Sequence, residues 1–394
     1  MFHCVTLQLA SSRGVGLYPW FSMNDAPQEK KAESLFDEEV IESSERIDNP
    51  FDPSKINVVR ESMSIFQAIR KIQLHEIKLD PDFQRNLVWD DTRQSRLIES
   101  ILLKIPLPAF YLDAIEPDRW VVVDGLQRLS TLDRFMNQKV LKLTGLEFLG
   151  RQFDDHGFDK LPRSSQRDIE ETQLTLYVIR PETPPKVKFT IFHRLNTGGM
   201  VLTPQEIRHA TFPGRAPALL RDLASSVEFT QATAFSVNPK RMDDRECVLR
   251  HFAFRMTKFE NYSKPDLNDF LGTAMDTLNK AQEDVIAKLR SDFLRAMSLC
   301  YKVFGPYTFR KFNRSLKQRS QINKAIFETW STAILDFDEA HVLANAEKIV
   351  SALENALATD VEYLKSLSLA TGGINPVKRR FNKAYQILGT ALLL

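Results

Sequence analysis

Cysteine is scarce in this sequence. Three residues, Cys4, Cys247 and Cys300, are spread over 394 positions with no Cys-x-x-Cys among them. That spacing argues against a disulfide framework or a zinc ribbon and fits a reducing cytoplasm. Long apolar runs are missing too: no stretch approaches the ~20 residues a membrane helix needs. Met1 to Trp20 also lacks a basic segment leading into a continuous apolar core, so no membrane partner is expected. No Walker loop, Rossmann glycine fingerprint or Ser-His-Asp signature is present, which sets those enzyme classes aside. Histidine offers little, and His193, on an apolar helical stretch, reads as a core residue rather than a catalytic base.

The chain has an ordinary globular composition, 43% apolar and 26% charged, and is long enough for two domains. The formal net charge of +2 hides an uneven distribution. Acids dominate between Glu29 and Asp48, whereas Phe293 to Phe327 holds eight Lys and Arg and no acid. Residues 1–22 differ in character from the rest of the chain, and Met23 is expected to be the true start. The acidic, polar stretch through Pro53 reads as a disordered leader, residues 1–53.

The next segment mixes strand and helix signals. Ser62 to Leu74 has Ile65, Ile69 and Ile72 at helical spacing behind a cap at Ser62 or Ser64. His75 to Leu79 reads as a strand, and Thr92 to Lys104 as an amphipathic helix with Glu99 outside its apolar stripe. Ala109 to Asp113 and Trp120 to Val123 read as strands, Val140 to Leu149 as a short strand or hairpin, Leu161 to Thr172 as a helix and Leu174 to Ile179 as a strand. A helix opening at Pro184-Pro185 leads to Arg194 and Asn196 before Gly198-Gly199, and Thr203-Pro204 starts another. Beyond it strand signals nearly vanish. The expectation is an α+β protein: a domain over 54–210 with a small mixed sheet, and an all-helical half over 211–394.

The chain is organised around Arg119 to Met136. Trp120-Val-Val-Val123 is a buried-strand run, Asp124-Gly125 breaks it, and Leu126, Leu129, Leu132, Phe135 and Met136 fall at helical spacing. A strand, tight turn and helix start would present free amides to an anion such as a phosphate. Arg128 could add a bidentate contact, and Asp124 could hold a metal, a ribose hydroxyl or a water. A plain connection, with Asp124 capping the helix and Arg128 solvated, has equal support from spacing alone.

Three motifs occur together: Asp82-Phe83-Gln84-Arg85 with Trp89, Asp124-Gly125-Leu126-Gln127-Arg128, and Arg194-Leu195-Asn196-Thr197-Gly198-Gly199 with Glu206-Ile207-Arg208 after it. In this order they resemble the N-terminal domain of GmrSD-type modification-dependent restriction enzymes, itself similar to the ParB and sulfiredoxin nucleotide-binding fold. The resemblance runs from about Pro50 to Arg208. It implies a module of prokaryotic DNA defence that binds a nucleoside triphosphate with Mg²⁺ and hydrolyses it. Asp124, Gly125, Gln127 and Arg128 correspond to its Asp-Gly-x-Gln-Arg box, Gln84 and Arg85 to its Phe-Gln-Arg element, and Arg194 and Asn196 to its Arg-x-Asn element; Asp124, Gln127 and Arg128 are the expected catalytic residues, and Gln84, Arg85, Gly125, Thr131, Arg194 and Asn196 the expected nucleotide-binding ones. Position 126 is Leu where the box often has Gln. The His-Asn-His nuclease that comes after this module in the full-length enzymes has no counterpart motif here. The C-terminal half offers only His251 and His341, and Asp155-His156 reads as a loop pair. A nuclease or methyltransferase would then be a separate partner subunit.

The acid-free block supplies a second expectation. Arg310, Lys311, Arg314 and Lys317, interleaved with Phe309 and Phe312, would form a basic helix able to neutralise DNA phosphates, with Arg379 and Arg380 as a second patch. Solvated faces and basic stems covering apolar surface are the alternatives. Two further functional readings stay open: a non-enzymatic adaptor binding DNA or protein, and a ParB-like nicking nuclease.

Overall fold

The computed structural model describes residues 56–79, 89–116, 118–195 and 202–393. The expected leader, Gln84, Arg85, Asn196 and Gly198-Gly199 lie outside the described residues. Strand β1 (Val58–Ser64) runs directly into helix α1 (Ile65–Gln73). The switch falls at Ser64, whose hydroxyl accepts from the Gln67 amide while the Gln67 side chain accepts from the Ser64 amide. This reciprocal cap makes Ser64, not Ser62, the start of the helix. After β2 (Ile77–Lys78) and α2 (Asp91–Leu102) come β3 (Phe110–Glu116), β4 (Arg119–Asp124) and α3 (Leu126–Leu132), which continues into a π-helical turn, Asp133–Asn137. A single turn, α4 (Gly150–Phe153), then α5 (Arg163–Glu171), β5 (Gln173–Ile179), α6 (Pro185–Leu195) and α7 (Pro204–Thr211) complete the module.

The strands form one mixed sheet in the order β1-β5-β3-β4-β2. β3 lies parallel to β5 and antiparallel to β4. Alternation gives the sheet two faces. Phe110, Leu112, Ala114, Trp120, Val122, Leu174, Leu176 and Val178 pack with apolar residues of α1, α2, α3 and α5 into one core. On the other face Val123 and Ile179 meet Phe192 of α6 and Ile207 of α7 in a smaller cluster that reaches Met242. The β4–α3 turn thus sits at a sheet end between two packed layers.

No strand forms between Val140 and Leu149. That segment is instead held by Glu99, which accepts from the amides of Glu147 (3.0 Å), Phe148 (2.7 Å) and Leu149 (2.8 Å). Glu99 lies outside the apolar stripe, yet it is buried. Burial works to raise its pKa, but the three amides and Arg96 outweigh it and hold the carboxyl below its usual range. Its contribution is therefore complete above the usual carboxylate range and is lost as pH falls through the lowered folded-state value. Glu99→Gln is expected to cost about 1–3 kcal/mol at pH 7, and less under acid conditions. Urea midpoints at both pH values check this, and a deficit independent of pH would contradict it.

Beyond α7 the chain is mainly helical around a second large core. The expectation of helices throughout fails at one place. Arg310–Asn313 and Gln318–Ile322 pair as an antiparallel hairpin, β6 and β7, where a basic helix is expected. Gly305-Pro306 ends the preceding helix, and Phe309 and Phe312 are buried in the core, so the segment obeys tertiary packing rather than helical periodicity.

A buried ionic network ties this half together. Glu328 accepts from Arg250 (3.2 Å) and from Arg380 Nε (3.0 Å), and all three are fully buried. Arg250 also donates to Glu246 at 2.9 Å. Glu246 further meets Lys324 at 3.3 Å and Arg208 of α7 at 3.7 Å. Burial alone would raise the Glu246 pKa, but the cations around it hold it far below the carboxylate range. Removing one partner strands the others. Glu328→Ala is expected to cost roughly 3–5 kcal/mol by taking from buried Arg380 its carboxylate and leaving Arg250 to Glu246, read as a lowered urea midpoint. An unchanged midpoint would show that the network does not hold this half.

Candidate functional site

At the end of β4 the backbone turns through Gly125, which has φ +97° and is the N-cap of α3. A Cβ there would stand 2.4 Å from Phe110 and 3.1 Å from the Arg128 guanidinium. Only glycine meets both the left-handed conformation and this close approach. Asp124 does not cap the helix. Its Oδ2 instead accepts from Arg128 Nη2 at 3.1 Å, and its side chain remains 39% exposed.

Arg128 is neither solvated nor free for a ligand. Its Nη1 donates to the Pro108 carbonyl and its Nη2 to the Ala109 carbonyl (3.1 Å), and the guanidinium lies 4.2 Å from the Phe110 ring centroid. The side chain is 11% exposed. Burial lowers its pKa and the Asp124 charge partly restores it. This arginine therefore positions the turn, clamping the approach to β3 onto the end of β4 and holding Asp124 by one oxygen. The direct phosphate contact expected of it is corrected accordingly.

The other expected residues divide. Leu126 is buried in the sheet core, so Leu in place of Gln at that position suits the fold. Gln127 is half-buried in the first helical turn. Thr131 is buried and its hydroxyl donates back to the Gln127 carbonyl at 2.7 Å, so it cannot face a nucleotide. Arg194 is exposed on α6. Arg208 is fully buried, donating to Gln205 and Asn268, each at 2.9 Å, and burial pushes its pKa down to about 10. The Glu206-Ile207-Arg208 element is thus a joint between module and helical half.

The basic DNA-binding helix is corrected by the hairpin. Arg310 is buried and donates to the carbonyls of Ser320 and Thr233 and to the Ser236 hydroxyl. Lys311 is buried with Nζ on Ser368 Oγ at 2.6 Å. Arg314 is held by Glu347 and Glu354, and Arg380 belongs to the Glu328 network. Lys317 is exposed, and Arg379, also exposed, faces Glu362 at 3.8 Å. Most of the proposed phosphate contacts are therefore internal hydrogen-bond donors.

Residues that spacing did not single out lie on β3, β5 and α6. Asp113 in β3 and Lys188 in α6 form a buried ion pair at 2.5 Å. Burial raises the Asp113 pKa and Lys188 opposes the rise. The available signal was an acid inside the apolar run Phe-Tyr-Leu-Asp-Ala. Tyr111 and Tyr177 stack on that face with centroids 5.2 Å apart. Grooves of about 290 Å³ beside Lys104 and Gln173, and of about 720 Å³ between the helices Ala346–Thr359 and Ile374–Leu393, are lined by other residues.

A mixed sheet with a glycine-dependent strand–turn–helix and a clamped Asp-Gly-x-Gln-Arg box is the class of module that these observations define. Residues 64–213 match the family described as GmrSD restriction endonuclease, N-terminal domain, and this part of the chain belongs to that domain family. Comparison with curated proteins and with solved structures found no match. No described helix is long and apolar enough to cross a membrane.

Gly125→Ala is expected to destabilise the protein by about 1–3 kcal/mol, since it combines a strained φ with a collision at Phe110. Arg128→Lys should also lower the melting temperature, because an ammonium cannot reproduce the forked contact to two carbonyls and Asp124. Thermal melts of both variants matching wild type would refute the clamp.

Proposed function

We propose that the N-terminal domain binds a nucleoside triphosphate over the Asp124–Gly125 turn, as part of a restriction-like defence system, and that its state is passed to the helical half. The observation that carries this reading is the half-exposed Asp124 carboxylate, fixed by one oxygen beside a glycine that no side chain can replace. A carboxylate so held has an oxygen for a cation, and a cation there would draw the phosphates of a nucleotide to the turn.

Magnesium commonly takes one or two carboxylates together with substrate phosphates rather than a protein cage. Among the described residues no group of three or more His, Cys, Asp or Glu is placed to hold a metal, so the donor set fits an ion delivered with the nucleotide. Asp124 would hold it, and it would supply charge neutralisation. Gln127, in the first turn of α3, would orient water, and Arg128 keeps Asp124 in place.

Binding without turnover is the second reading. The engagement of Arg128 with carbonyl groups favours it, since the guanidinium best placed to neutralise phosphate charge is already occupied. One experiment treats both. With a panel of Mg²⁺-nucleoside triphosphates, calorimetry is expected to show binding by wild type that Asp124→Asn weakens at least tenfold. Phosphate release by wild type and not by the variant marks hydrolysis, and binding alone marks the adaptor. No binding of any triphosphate by wild type overturns the proposal.

A further inference from the structure

One row of side chains crosses the sheet toward this turn. Arg60 of β1 is the register partner of Tyr177 of β5, and Tyr177 that of Tyr111 of β3. Tyr111 is in turn the backbone partner of Asp124. Met63 is buried in the core with α1, so alternation places Arg60 on the opposite face, with Val58. The neighbouring row, Val58, Ile179 and Asp113, lies with the cluster under α6 and α7 or is paired to Lys188. In the row of Arg60, Tyr177 and Tyr111, Tyr111 packs against that cluster too, while Arg60 is exposed and Tyr177 is half-buried outside the cluster.

The two phenol rings lie nearly parallel, 18° apart. Cross-strand aromatic pairs of this kind also stabilise a sheet. Here, among the described residues, neither hydroxyl has a hydrogen-bond partner and Arg60 has no ion-pair partner. Burial, reinforced by Tyr177 and Asp124, raises the Tyr111 pKa. Flat rings with free hydroxyls and a planar cation beside them suit an aromatic heterocycle: stacking supplies affinity, and the hydroxyls and guanidinium read its edge.

We infer that this row is the base-recognition surface of the nucleotide site: the base stacks on Tyr177 beside Arg60, and the phosphates pass Tyr111 to the Asp124–Gly125 turn. The inference rests on the nucleotide reading of that turn. Tyr177 and Asp124 are two strand spacings apart, about 10 Å, so base and phosphates would occupy separate parts of the row.

Calorimetry on the full chain tests it, with MgATP, MgGTP, MgCTP, MgUTP and magnesium tripolyphosphate as probes. Wild type is expected to bind at least one nucleotide more tightly than tripolyphosphate. Tyr177→Ala should lower that nucleotide affinity roughly tenfold or more, toward the tripolyphosphate value. Its tripolyphosphate affinity should not change, which also reports that the variant is folded. Tyr177→Phe keeps the stack and should bind like wild type or slightly weaker, and Arg60→Ala should lose part of the preference. If Tyr177→Ala binds nucleotide as wild type does, or wild type binds tripolyphosphate as tightly as every nucleotide, the base surface is refuted while the phosphate site stands. If wild type binds none of the probes, both fall. If Tyr177→Ala loses tripolyphosphate as well, Tyr177→Leu, which keeps apolar bulk on the strand, replaces it; loss of tripolyphosphate binding there too refutes a role confined to the base.

Discussion

The clamp made by Arg128 is the constraint on which the module's geometry depends. One guanidinium joins the carbonyls of Pro108 and Ala109, the carboxylate of Asp124 and the face of Phe110. Two antiparallel strands and the helix after them are thereby fixed at one point, and Gly125 is pressed so close that a side chain has no room. A buried cation is costly to desolvate, and this one is sustained because its donors meet carbonyl and carboxylate oxygens. The result is a preorganised turn whose one half-exposed charged group is an acid.

That turn is continuous with the rest of the chain through packing rather than through a flexible linker. Val123, next to Asp124, shares a cluster with Phe192 of α6 and Ile207 of α7. Arg208, adjacent to Ile207, enters the ionic network that runs through Glu246 and Arg250 to Glu328 and Arg380. Such a network is weak support for stability but demands a specific arrangement of its members, because each charge is tolerated only with its partners in place. It joins α7 of the module to the helical half by ion pairs.

The acid-free run from Phe293 to Phe327 shows how linear charge misleads. Lys302 meets Glu339, Arg314 meets Glu347 and Glu354, and Lys324 meets Asp243 and Glu246, all acids far away in the chain. Arg310 and Lys311 donate to carbonyl and hydroxyl oxygens in the interior. A basic block in sequence is here largely neutralised or buried in space. The same holds in reverse for Glu99, whose helical position suggested solvent and whose oxygens instead gather three loop amides.

Local order was legible from residue types. Val-Val-Val before Asp-Gly, the spacing of Leu126, Leu129 and Leu132, Ser64 before Ile65 and Thr203 before Pro204 each specify a strand, turn or cap through interactions within a few residues. The Asp-Gly-x-Gln-Arg box could be recognised for the same reason. What tertiary structure decided was the role of long polar side chains. Arg128 as a clamp, Thr131 as an internal donor, Arg208 and Arg380 as buried network members and the β6–β7 hairpin all depend on partners from distant segments. A strand or cap is set by short-range sterics and hydrogen bonds. The fate of a guanidinium on a flexible stem is set by which carbonyls and carboxylates the fold brings within reach, and spacing along the chain does not contain that.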